Sequence, residues 1–77
     1  VLEYSFHHPF MQITLNGNLF DFDGDTLLAL LAMQGVVLGQ GGIAVSVNDA
    51  VVSRGRWAEQ GIVAGDRVEI VRAIAGG

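Results

Sequence analysis

The chain contains no cysteine, no lysine and a single proline, and only 16% of its residues are charged. Without cysteine there is neither a disulfide framework nor a thiolate metal site to stabilise it, and the redox compartment is left open. Without lysine there is no ε-amino group to accept an isopeptide bond, so the chain cannot be extended on itself through lysine. All four basic residues are arginines, and eight acids against them give a net charge of −4. Phosphate binding needs a basic face, so this balance argues against nucleic acid. A basic protein surface suits it better. No apolar run approaches the roughly 20 residues of a membrane span. Residues 1–10 lack the basic start and continuous apolar core of a secretory signal. The expectation is a soluble, cytoplasmic chain with no membrane partner.

What is present argues for a folded unit. Half of the 77 residues are hydrophobic, which rules against disorder. The length makes one small domain whose core is thin. The sequence finishes on Ile74-Ala75-Gly76-Gly77, and two residues without Cβ can take almost any backbone conformation. Such a segment can slide into a channel too narrow for a side chain. The preceding residues, 66–74, read as a strand, so the tail leaves a firm element with no linker between.

Residues 1–10 (VLEYSFHHPF) are aromatic and aperiodic, and hold both histidines and the proline. They read as an extension, vector-derived or from an upstream start, ahead of a domain spanning 11–77. His7 and His8 are adjacent, so an extended backbone points them to opposite sides, and no metal site is expected. From Met11 the pattern is regular. Residues 11–15 alternate apolar and polar, Asn16-Gly17 suits a type I′ turn, and residues 18–23 alternate again. A β-hairpin is predicted.

Asp25 or Thr26 is suited to open a helix over residues 26–34, and Gly35 to close it. Leu27, Leu28 and Leu31, with Leu30 beside them, form its apolar face. Residues 36–42 end in Gly39-Gln40-Gly41-Gly42. A phosphate loop would finish in Gly-Lys-Ser/Thr and lead into a helix; a strand follows here, so the segment reads as a flexible connection. Residues 43–47 form a third strand, Asn48-Asp49 a tight turn, and Ala50-Val51-Val52 a short return strand. Residues 53–61 are polar around one anchor, Trp57, expected to lie as a lid on the core.

A right-handed crossover after the hairpin places the last strand beside the first, in parallel. The resulting fold class is α+β: a β-grasp (ubiquitin-like) arrangement, with a mixed twisted sheet of four to five strands on one main helix. Met11, Ile13, Leu15, Phe20, Phe22, Leu27, Leu31, Val45, Val47, Val68 and Ile70 are expected to meet between sheet and helix.

These residues resemble the ubiquitin-like sulfur carriers, most closely the ThiS type of thiamine thiazole biosynthesis. The resemblance covers residues 11–77. It rests on Asn16, on Gly24-Asp25-Thr26 with the leucines after it, and on Val45-Ser46-Val47-Asn48. Val52 with Arg54, Trp57, the run Gly65-Asp66-Arg67-Val68-Glu69-Ile70 and the Ile74-Ala75-Gly76-Gly77 tail complete it. The family often carries proline where Ser53 stands. The resemblance implies a substrate and not a catalyst. It also implies a chain that binds no cofactor itself and is expected to be monomeric alone. An E1-like (ThiF-type) enzyme using Mg-ATP would adenylate the Gly77 carboxylate, a persulfide donor would convert it to a thiocarboxylate, and a ThiG-type thiazole synthase would take the sulfur. A molybdopterin-type carrier and a ubiquitin-like protein modifier are the alternatives. The first often has proline shortly before the tail, where Val71-Arg72-Ala73-Ile74 stands here.

The expected functional residues therefore cluster at one end. Gly77 is the adenylation and thiocarboxylate site, Gly76 and Ala75 thread the channel, and Val71, Arg72, Ala73 and Ile74 bind partners. With Val68 and Ile70 facing the core, Arg67, Glu69, Val71 and Ala73 must face away. Gln12, Thr14, Ala44 and Ser46 share that outer face, which is the expected docking surface.

Overall fold

In the computed structural model of this chain, residues 10–37 and 39–73 are described. Strands β1 (Met11–Leu15) and β2 (Asn18–Phe22) form the first hairpin, followed by helix α1 (Leu27–Met33). Strands β3 (Ile43–Val47) and β4 (Ala50–Val51), a short 3-10 turn (Arg54–Arg56) and strand β5 (Arg67–Arg72) complete the order. The sheet runs β2-β1-β5-β3-β4. The β1–β5 pair is parallel and the others antiparallel. This is the β-grasp arrangement expected from the order of elements.

Both hairpin turns are made by residues at positive φ: Asn16 (49°) with Gly17 (85°), and Asn48 (52°) with Asp49 (73°). The second turn has no glycine, and its side chains take on the work of holding it. Asn48 accepts from Arg67 N–H at 2.8 Å through Oδ1 and donates to Asp66 at 2.9 Å through Nδ2. Asp66 is buried and also accepts from Val63 N–H at 2.9 Å, so its carboxylate holds the start of β5.

The helix is short and depends on its ends. Thr26 is the N-cap, and its hydroxyl accepts from Ala29 N–H at 3.2 Å. Leu27 and Leu28 N–H groups donate to the carbonyls of Gln60 and Trp57, at 2.8 and 3.0 Å. The irregular segment thus satisfies donors that every helix start leaves free. At the other end Gly35 has φ +82°. Its N–H donates to Ala32 O at 3.1 Å, while Val36 N–H donates to Leu31 O at 3.0 Å. That is a Schellman ending, and it folds Val36 back into the core. Gly24 matters for a different reason: a Cβ there would stand 2.5 Å from the Phe22 ring.

The core differs from expectation in composition rather than in place. Leu27, Leu30 and Leu31 are fully buried, while Leu28 is only half-buried, because i, i+3 and i+4 share the sheet-facing side. Val36 and Ile62 join the core, and Met11, Phe20 and Ile70 sit at its margin. Trp57 is not a lid. It is 1% exposed, and its Nε1 donates to Val52 O at 3.0 Å. The polar residues around it hid the fact that the 3-10 turn drives the ring inward. No described helix is long and apolar enough to cross a membrane.

Candidate docking face and tail exit

β5 lies at the centre of the sheet, and alternate residues on it serve opposite faces. Val68 is fully buried and Ile70 half-buried on the helix side, whereas Arg67, Glu69 and Val71 are exposed on the other. Across the sheet, Val71 pairs with Ala44, and Glu69 with Ser46. Ser46 pairs in turn with Val51. Ala44, Ser46, Val51, Glu69 and Val71 line a shallow, mostly apolar depression of about 150 Å³. Val51 and Val71 are 79% and 63% exposed there. On the far side of β5, Thr14 pairs with Arg67 and with Leu19, and Gln12 with Asp21.

Charge frames this face. Glu69 lines the depression, and Asp21 lies on the β2 flank. Arg67 is ion-paired with Asp49. The hydrogen bond to Asp49, then the charge of that carboxylate, hold the Arg67 guanidinium above its ordinary pKa, so it stays charged. Its positive charge is therefore partly answered within the chain.

The three described members of the expected partner-binding run do not share one surface. Val71 belongs to the outer face. Arg72 has the opposite parity, and its guanidinium donates to Gln34 O at 3.0 Å, at the end of α1. Ala73 N–H donates to Gly42 O at 2.7 Å, carrying the β3 side of the ladder one step past β5. Ile74, Ala75, Gly76 and Gly77 lie outside the described residues, as do residues 1–9.

The described residues of the connection over 36–42 are hydrogen-bonded to one another and to Arg54 rather than simply flexible. Gln40 N–H donates to Val37 O at 2.9 Å, and its side chain accepts from Val37 N–H at 3.0 Å. Arg54 donates to Gln40 O while its guanidinium lies over the Trp57 ring, 4.8 Å from the centroid. Arg54 and Trp57 thus hold the loop whose Gly42 carbonyl receives Ala73. Sequence reasoning missed Leu19 and Val51 on the outer face, although the parity of Phe20, Phe22 and Ser46 was the signal for both. It also missed Gln34 and Gly42 at the tail exit, for which no local signal exists.

A family model for the ThiS family matches residues 13–77. The chain belongs to the ThiS family. Among solved structures it is similar to the thiamine biosynthesis protein ThiS of Geobacter metallireducens. The identity is 27% with a TM-score of 0.71, over 87% of this chain and 100% of that one. No curated protein is matched. Membership of the ThiS family makes the chain a small sulfur carrier of thiamine biosynthesis, one that serves enzymes and is not itself one. Its matched region begins inside β1 and takes in every later element described above.

Proposed function

We propose that the chain carries sulfur on Gly77 as a C-terminal thiocarboxylate destined for a thiazole synthase. A ThiF-type enzyme uses Mg-ATP to convert the Gly77 carboxylate to an acyl-adenylate, releasing pyrophosphate. The terminal sulfur of a persulfide donor attacks the acyl carbon and expels AMP. A second thiol then cleaves the S–S bond, leaving the thiocarboxylate and a disulfide. The ThiG-type synthase receives that sulfur. This chain supplies the acyl group, the grip and the reach; Mg-ATP belongs to the partner.

The observation that carries this reading is the placement of the tail exit. Residue 73 leaves the centre of the sheet, held by Gly42 on one side, two positions past Val71, which lines the depression. A partner that seats on the outer face is thereby led to the terminal residues. The acidic groups around the face suit a basic partner rim. Val71, with Ala44, Ser46 and Val51, provides the apolar centre, and Ala75 and Gly76 thread the channel.

Purification of the chain from cells with intact thiamine biosynthesis, followed by mass spectrometry of the C-terminal peptide, tests the proposal. The expected result is replacement of one terminal oxygen by sulfur, dependent on the ThiF-type partner. An isopeptide-linked remnant on other proteins would instead make the chain a modifier, and an unmodified carboxylate throughout would defeat the carrier mechanism.

A further inference from the structure

β5 has two hydrogen-bonding edges, and among the described residues only one is filled along its length. Toward β3 the register runs without a break from Val47↔Val68 to Ile43↔Arg72, and Ala73 N–H to Gly42 O prolongs it. Toward β1 the pairing covers Thr14↔Arg67 and Leu15↔Val68 alone, because the chain then turns away at Asn16-Gly17. That turn adds two bonds. Asn16 N–H donates to Val68 O at 2.9 Å, and Ile70 N–H donates to Asn16 Oδ1 at 2.7 Å.

Alternate residues of a strand aim N–H and C=O at the same edge, so Val68, Ile70 and Arg72 serve the β1 side. Past the Ile70 N–H, the described residues supply no further partners. No described residue hydrogen-bonds to the Ile70 carbonyl, the Arg72 N–H or the Arg72 carbonyl. The central strand of the sheet thus becomes an edge strand just before the tail. Proteins usually blunt such edges with lysine, proline or a bulge. Here no residue from 66 to 73 is lysine or proline, and β5 keeps an unbroken one-to-one register with β3.

We infer that the Ile70–Arg72 edge of β5 receives a short extended segment of the enzyme that acts on the tail, paired to it as an added strand. Main-chain bonds supply the grip in this mode, and alternate side chains the selectivity. The Asn16-Gly17 turn blocks further advance along β5, so the segment pairs with about three residues, on the order of 10 Å of strand. On the outer face it meets Val71, which calls for an apolar side chain. On the helix side it meets the Arg72 guanidinium, which calls for an acceptor such as a carboxylate or amide. The proposal rests on the reading that a partner activates Gly77. It adds to that reading a backbone site separate from the sheet face.

Arg72→Pro deletes the open-edge N–H without touching a β3 ladder bond, and Arg72→Ala removes the same guanidinium while keeping that N–H. With the ThiF-type enzyme, calorimetric titration is expected to show Arg72→Pro binding about tenfold more weakly than Arg72→Ala. Equal affinities would overturn the proposal. Amide hydrogen exchange on the unmodified chain gives an independent reading should proline disturb the fold. The Arg72 amide is expected to exchange fast when free and at least tenfold more slowly in the complex, and fast exchange in both states would overturn it. Concentration-dependent dimerisation of the free chain that Arg72→Pro abolishes would assign the edge to a second copy and overturn the named occupant. ATP–pyrophosphate exchange with the parent chain separates the two levels. Normal exchange with no difference between the variants removes the edge alone, while no exchange removes the proposed function and the edge with it.

Discussion

The Arg72 guanidinium donates to the Gln34 main-chain carbonyl at 3.0 Å, so the last residue of β5 is fastened to the end of α1. Carbonyls at a helix end have no intrahelical partner and carry partial negative charge, so a cation there is favourable. Arg72 is exposed, and solvent screens much of the effect. Arg72→Ala is expected to cost about 0.5 kcal/mol, or roughly 2–4 °C in Tm. Thermal melting at low and high salt checks it, and the deficit should shrink as salt rises.

Leu31 presents the opposite case, a side chain with no exposure at all. It sits on the face of α1 that meets the sheet, and its carbonyl also receives Val36 in the helix ending. Leu31→Ala is expected to cost about 2–5 kcal/mol, a large share of the stability of so small a domain. A denaturant titration that gave the parent midpoint would show that the helix face is misassigned.

Val71 should matter to partners and not to folding. Its side chain is 63% exposed beside the depression, and aspartate is tolerated at such a position. Val71→Asp is expected to lower affinity for both the activating enzyme and the synthase about tenfold or more, with Tm within about 2 °C of the parent. Titration against each partner decides it; unchanged affinity for both would move docking to another surface.

Gly76→Val tests threading rather than docking. Valine adds a branched Cβ where the channel is expected to admit only backbone. The variant should melt like the parent yet fail to support ATP–pyrophosphate exchange with the ThiF-type enzyme. Normal exchange by a well-folded variant would refute the narrow-channel argument.

The elements were legible in the sequence where local chemistry determines them. Alternation marked β1 and β2, Asn16-Gly17 marked the first turn, and Asp25 or Thr26 with Gly35 bracketed the helix. The parity of Val68 and Ile70 placed Val71 on the outer face. What sequence could not convey were bonds between distant segments. Nothing local to Gln34 or Gly42 says that Arg72 and Ala73 will end there. Trp57 is a different case: its bond to Val52 O and the covering Arg54 are local, but the polar residues around it gave no sign that the 3-10 turn drives the ring inward. The expected run of partner-binding residues separated for a geometric reason: consecutive strand residues point to opposite faces, and Val71 and Arg72 obeyed that alternation.

The sheet order has a kinetic consequence. The β1–β2 hairpin and the β3–β4 hairpin touch the rest of the sheet only through β5, which lies between them and is the last strand along the chain. Asn16 receives the Ile70 amide across 54 positions of sequence. Neither hairpin has enough neighbours to persist alone. Closing a loop of that length must come before the contacts that reward it, so folding waits on a single late event. A partly folded carrier that offers its tail while lacking its docking face is therefore not a stable species. The strand that leads into the tail is also the strand that completes the fold, so under the proposed function partners meet the tail only on a finished domain.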